Sequence, residues 1–250
     1  MNHPRSLVLL LALCCACPPK DPTDSQPDCT GETCDTGEPD TGDGLLHVTI
    51  LHTNDWHSHL LGYGPEAEYT PGSTGDDTTV GGMARIKTLA DEIRGASPDP
   101  VLMFDAGDWM EGSLFQLLAT SQAAELQMMQ LMGYDAITIG NHEWSWGPGI
   151  LATMIQRGDA LGVTVPIVAS NILPDATSAE DDPLEALLDS GRIETTRVLT
   201  LDNGLTIGLF GILGEEAASV APGATPVTFE VPAVAAAQAV ADLEARVWTS

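Results

Sequence analysis

The chain has no cysteine after Cys34, no histidine after His142, and few cations. Its 5 cysteines all fall within the first 34 residues. The body beyond them therefore carries no disulfide, no thiolate metal site and no thiol nucleophile. The 9 lysines and arginines face 36 aspartates and glutamates, a formal net charge of -27. A surface that negative repels a polyphosphate backbone, so no nucleic-acid polymer is expected as a partner. A small phosphate ester is not excluded, because a bound divalent cation reverses the sign locally. Solubility or a salty medium accounts for much of the excess equally well. The apolar run Leu7–Leu13 is shorter than the about 20 residues a membrane-spanning helix needs.

That run follows a short, weakly basic start, Met1 to Arg5, and precedes Cys14-Cys15-Ala16-Cys17. The pattern fits a secretory leader, and it resembles a bacterial lipoprotein cleavage box. Cys17, behind the small Ala16, is the best lipid acceptor, with Cys14 and Cys15 as weaker options. An ordinary cleaved leader with incidental cysteines is the alternative. Residues 1–17 are thus expected to be a lipoprotein-type signal peptide, giving an exported protein held by its lipid at the periplasm or cell surface. Residues 18–44 are rich in Pro, Asp, Thr and Gly, lack apolar periodicity and read as a flexible acidic linker. Within it, Cys29 and Cys34 either pair locally or are incidental.

Residues 45–250 read as one domain of the α/β class. Leu46–His52, Val101–Phe104, Asp135–Ile139 and Val165–Ala169 have the composition of strands. Helical spacing is expected over Met83–Arg94 (Ile86, Leu89, Ala90, Ile93), Gln122–Met132 (Leu126, Met129, Met132), Pro148–Arg157 and Val231–Val247. Arg197–Leu201 and Leu205–Leu213 form an expected hairpin across Asn203-Gly204. Strand and helix in alternation imply a layered sheet core.

Three polar clusters each follow an expected strand, where α/β proteins place ligands. They are Asn54-Asp55-Trp56-His57-Ser58-His59, Asp105-Ala106-Gly107-Asp108 and Gly140-Asn141-His142-Glu143. Aspartate oxygens and imidazole nitrogens suit borderline divalent ions. Two such ions about 3.5–4 Å apart hold a water and clamp a phosphoryl group. Singly the clusters are weak: Asp-x-His is common, Gly-Asp is a turn, and Asn-His-Glu could be a helix cap. Their order and shared position carry the signal.

In that order the clusters resemble the signature of the calcineurin-like metallophosphoesterases. The longer words Leu51–His59, Gly81-Gly82-Met83-Ala84-Arg85 and Gly133-Tyr134-Asp135-Ala136 are similar to the bacterial 5′-nucleotidase and 2′,3′-cyclic phosphodiesterase family. The resemblance implies an αββα sandwich and two divalent metal ions of the Mn, Zn, Fe or Mg class. It implies that Asp55 and His57 bind one metal, Asp108 bridges both and Asn141 binds the second. His142 would stay off the metals and act on the phosphoryl transition state or the leaving oxygen. Asp105 and Glu143 would support the ligands from behind. The expected substrate is a small nucleotide or other phosphate ester. Relatives that cleave sulfur esters are an alternative that Asn141-His142 argues against.

Two departures accompany the resemblance. The family often has an aspartate three residues after the histidine, paired with it; here that position is Ser145. It also supplies later histidine ligands, including a Gly-His-x-His word, which this sequence does not contain. The domain is therefore expected to be truncated at its C-terminus. A non-catalytic, membrane-anchored remnant or binding lipoprotein is the alternative.

Overall fold

A computed structural model describes residues 8–15, 45–62 and 80–248. Cys17, the linker 18–44 and the pair Cys29 and Cys34 lie outside the described residues. The first sheet is parallel and runs β2 (Thr49–Thr53), β3 (Val101–Asp105), β4 (Ala136–Ile137), β5 (Ile167–Val168) and β7 (Ile193–Glu194), side by side in chain order. The helices α1 (Met83–Ala96), α3 (Ala124–Met132), α4 (Pro148–Ala160) and α5 (Asp182–Asp189) make the crossovers between these strands. Their apolar faces pack on one side of the sheet, with Met103, Ile137 and Ile167 meeting Leu126, Met129, Leu151 and Ile155. β3 is an apolar run buried on both faces, as a central parallel strand must be.

The other face of this sheet meets a second sheet. There β8 (Arg197–Thr200) and β9 (Thr206–Leu213) form an antiparallel hairpin. β9 alternates strictly. Ile207 and Leu209 pack on Leu102, Phe104 and Val168 of the first sheet. Phe210 and Ile212 pack on Ala235, Ala239 and Leu243 of α7 (Pro232–Trp248). The period of two thus builds a four-layer helix–sheet–sheet–helix stack, the expected αββα sandwich. Gly211 sits where the sheets come closest: a β-carbon there would collide with the Val168 carbonyl and the Thr138 hydroxyl. A small antiparallel pair, β6 (Ile172–Leu173) with β10 (Thr228–Phe229), closes one end.

Several boundaries differ from the sequence expectation. The helix expected over Gln122–Met132 is broken: α2 (Ala119–Gln122) ends at Ala123, whose φ of 47° is left-handed, and α3 then restarts. Leu89, expected on the apolar stripe of α1, is 58% exposed, whereas Ala90 of the same stripe is buried, as is Met83. The short elements β6, β7, β10, α5 and α6 (Glu215–Ser219) carry too few residues for a periodic signal. Val8–Cys15, which takes in most of the apolar run Leu7–Leu13 expected as a leader core together with Cys14 and Cys15, lies along β9 in parallel as strand β1. An exposed strand edge offers unpaired N–H and C=O groups, which an extended segment satisfies. Among the described residues no helix is long and apolar enough to cross a membrane.

Candidate metal centre

The three polar clusters meet at the C-terminal ends of β2, β3 and β4. Backbone hydrogen bonds carry the strand register past the strand ends. Ala106 N–H donates to Thr53 O at 2.8 Å, Asp55 N–H to Gly107 O at 3.0 Å, His57 N–H to Asp108 O at 3.0 Å, and Thr138 N–H to Asp105 O at 3.0 Å. The loop after β2 is thereby stitched to the loop after β3, and the two clusters share one floor. Asp55, His57 and Asp108 take φ values of 55°, 47° and 57°, a left-handed conformation that is uncommon outside glycine. Such backbone persists where the surroundings over-determine it, as they do at binding sites. Gly140 is required by close approach: a β-carbon there would strike the Asp108 carboxylate.

His57, Asp108 and His142 each direct one ligand atom into a common space, all within 4.8 Å of one another. The His57 and His142 rings stand edge to face, 4.6 Å between centroids. Asp55 Oδ1 lies 3.5 Å from His57 Nε2, and the Asn54 amide donates to Asp55 Oδ2. Asp108 is buried, and its Oδ1 accepts the His142 backbone N–H at 2.9 Å. Asn141 is buried beside them. The structure therefore brings Asp55, His57, Asp108, Asn141 and His142 to one place, with the His142 ring in the same cluster as two of the expected ligands.

Asp105 and Glu143 lie beneath. Asp105 accepts the Thr53 hydroxyl at 2.6 Å and the Gly107 N–H at 2.9 Å. Tyr134 shares the Thr53 hydroxyl at 2.5 Å. Burial, with the charges of Asp55 and Asp108, pushes the Asp105 carboxyl up to about 7 against the pull of those two hydrogen bonds. Glu143 accepts three backbone N–H groups: Asp108 at 3.0 Å, Met110 at 2.9 Å and Gly140 at 2.6 Å. Burial and the Asp108 charge push it up to about 8, with the three donors opposing. Both residues accept hydrogen bonds from the strand and loops that bear the donors.

Two other carboxylates were not singled out from the sequence. Glu125 is buried and accepts the Ser58 hydroxyl at 2.8 Å, tying the loop after β2 to α3. Glu111 accepts from His142 Nδ1 at 2.8 Å and from the Ser145 hydroxyl at 2.7 Å, both on Oε2. Burial alone would raise its carboxyl, but those hydrogen bonds and the nearby imidazoles hold it below the ordinary range. The serine at 145, in place of the family's usual aspartate, was the one signal in the sequence, and it left open whether His142 is less basic or has another partner. His59, the last residue of the first cluster, places Nδ1 3.2 Å from Trp56 O.

The calcineurin-like phosphoesterase profile matches residues 48–213, the strands and loops that build this centre. The chain belongs to the calcineurin-like phosphoesterases. These proteins use two divalent metals, and His57, Asp108 and His142 form a candidate metal site. The chemistry of the donors fits such ions: carboxylate, imidazole and amide groups converge where like charges already crowd Asp105. The chain is 36% identical over 118 residues to the trifunctional nucleotide phosphoesterase YfkN of Bacillus subtilis, covering 47% of this chain and 7% of that one. It is 31% identical over 185 residues to the 5′-nucleotidase of Bos taurus, covering 73% of this chain and 29% of that one. Among solved structures, the 5′-nucleotidase precursor of Thermus thermophilus superposes with a TM-score of 0.62 at 28% identity, over 80% of this chain and 35% of that one. The phosphoesterase chain described here thus spans about a third or less of the length of these relatives.

Proposed function

We propose that the protein is an exported, two-metal phosphoesterase that hydrolyses nucleotide phosphate esters. The observation that carries the reading is the convergence of His57, Asp108 and His142 within 4.8 Å at the strand ends, inside a phosphoesterase fold. Asp55, His57, Asp108 and Asn141 are the side chains that would hold the two cations. When bound, the two cations supply Lewis-acid activation of water and neutralise the phosphoryl oxygens. Asp108, fixed by the His142 N–H, sets the spacing of the donors. His142, with Nδ1 engaged by Glu111, is left with Nε2 for the phosphoryl group or the leaving oxygen. The 5′-nucleotidase relatives support a nucleotide substrate. The leader-like start and the Cys14–Cys17 cluster support export and lipid attachment at Cys17.

The test is phosphate release by the full-length protein from AMP and from a 2′,3′-cyclic nucleotide, with and without manganese. Metal-dependent release that is lost in Asp108→Asn supports the reading. Stable metal binding with no hydrolysis of either ester refutes the enzyme and favours an anchored binding protein.

A further inference from the structure

We infer that Glu111 is the positioning residue for His142, so that the carboxylate behind the reactive histidine comes from the loop after β3 rather than from the turn that bears the histidine. The inference rests on the phosphoesterase reading for its role in catalysis, and on geometry alone for the pairing.

The geometry is specific. Two donors converge on one oxygen: His142 Nδ1 and the Ser145 hydroxyl both lie within 2.8 Å of Glu111 Oε2. An exposed ion pair would leave its partners free to turn. Here Glu111 is held on a backbone with φ of 63°, followed by Gly112 with φ of 119°, a tight reversal that turns the carboxylate back over the site. A glutamate keeps such a conformation only when its surroundings require it. The anchors at either side are firm. Met110 N–H is held by Glu143, and the Ser113 hydroxyl donates to Ser58 O at 2.6 Å.

The consequence follows from imidazole chemistry. A carboxylate on Nδ1 fixes the tautomer that carries a proton there and sets the ring plane, which aims Nε2. In the protonated ring, Nε2–H is then the donor that faces the centre. As the bond from phosphorus to the leaving alcohol breaks, that oxygen takes the Nε2 proton. The water oxygen that bonds phosphorus releases a proton to solvent, which returns one to His142. Such proton delivery matters most for a poor leaving group such as a nucleoside alkoxide, and least for a phenolate that leaves unaided. Ser145 explains why the arrangement can be inverted. Its Oγ already reaches Glu111 Oε2, so a carboxylate grown from position 145 would come within reach of the same imidazole.

Two readouts test this on the full chain. The first needs no activity. Proton NMR of the metal-free protein should show a downfield ring N–H resonance, identified by its loss in His142→Asn. It should vanish in Glu111→Gln and return in Glu111→Gln/Ser145→Asp. The second is kinetic. With manganese bound, Glu111→Gln should lower kcat for AMP by roughly 100-fold while KM and the rate with p-nitrophenyl phosphate change little. The double variant should recover most of the loss. A resonance absent from the native chain, or one that persists in Glu111→Gln, overturns the pairing. Equal losses on both substrates, or no rescue by the aspartate, overturn the positioning role. If the native protein hydrolyses neither substrate, the phosphoesterase proposal fails, and the resonance alone decides the pairing.

Discussion

At the scale of single residues, Glu143 shows how one buried carboxylate ties together the loops of a candidate metal centre. Its two oxygens hold three backbone N–H groups from the loops that carry Asp108 and Asn141. Glu143→Ala would leave those donors buried and unpaired, at about 1–3 kcal/mol each. The variant should therefore lose roughly 3 kcal/mol or more, read as a lower urea midpoint at unchanged slope. Ser58→Ala is a milder case. It removes the hydroxyl that Glu125 accepts inside the core, and should cost about 1–3 kcal/mol by the same measurement. The pH dependence also belongs here. Asp105 and Glu143 titrate higher in the folded chain than in the unfolded one. Their protonated forms favour the fold, so this contribution is complete below about pH 4 and is lost as pH rises through about 7 to 8. The Tm of the metal-free protein should fall between pH 5 and pH 9, and bound manganese should flatten that fall. A Tm that rises over this range would contradict the assignment.

At the scale of elements, legibility followed the length and purity of the pattern. β3, the β8–β9 hairpin, α1, α4 and α7 were readable because each carries an apolar period or a turn signal such as Asn203-Gly204. The break at Ala123 was not, because nothing in Ser121-Gln122-Ala123-Ala124 marks an alanine as left-handed; packing decides it, with Ala123 fully buried. The site divides in the same way. Asp55, His57, Asp108, Asn141 and His142 sit in recognisable words at strand ends. Glu111 and Glu125 act through contacts made across the fold, to residues 31 and 67 positions away, and no local pattern reports such contacts. The β5–β9 approach is a third case of this kind. Gly211→Ala should force the sheets apart and cost about 1–3 kcal/mol, visible as a lower Tm.

At the scale of the whole molecule, the charge and the centre belong together. A formal net charge of -27 repels polyanions and favours divalent cations, and among the described residues carboxylate and imidazoles converge at His57, Asp108 and His142. The two sheets and their outer helices serve to hold three loops in register, and the ions complete what the loops begin. The measurement that tests this most directly is the number of manganese ions retained per chain by the full-length protein after dialysis, compared with Asp108→Asn. The account predicts two ions in the native protein and a loss of metal in the variant. A native protein that retains none, or a variant that retains as many as the native protein, would contradict it.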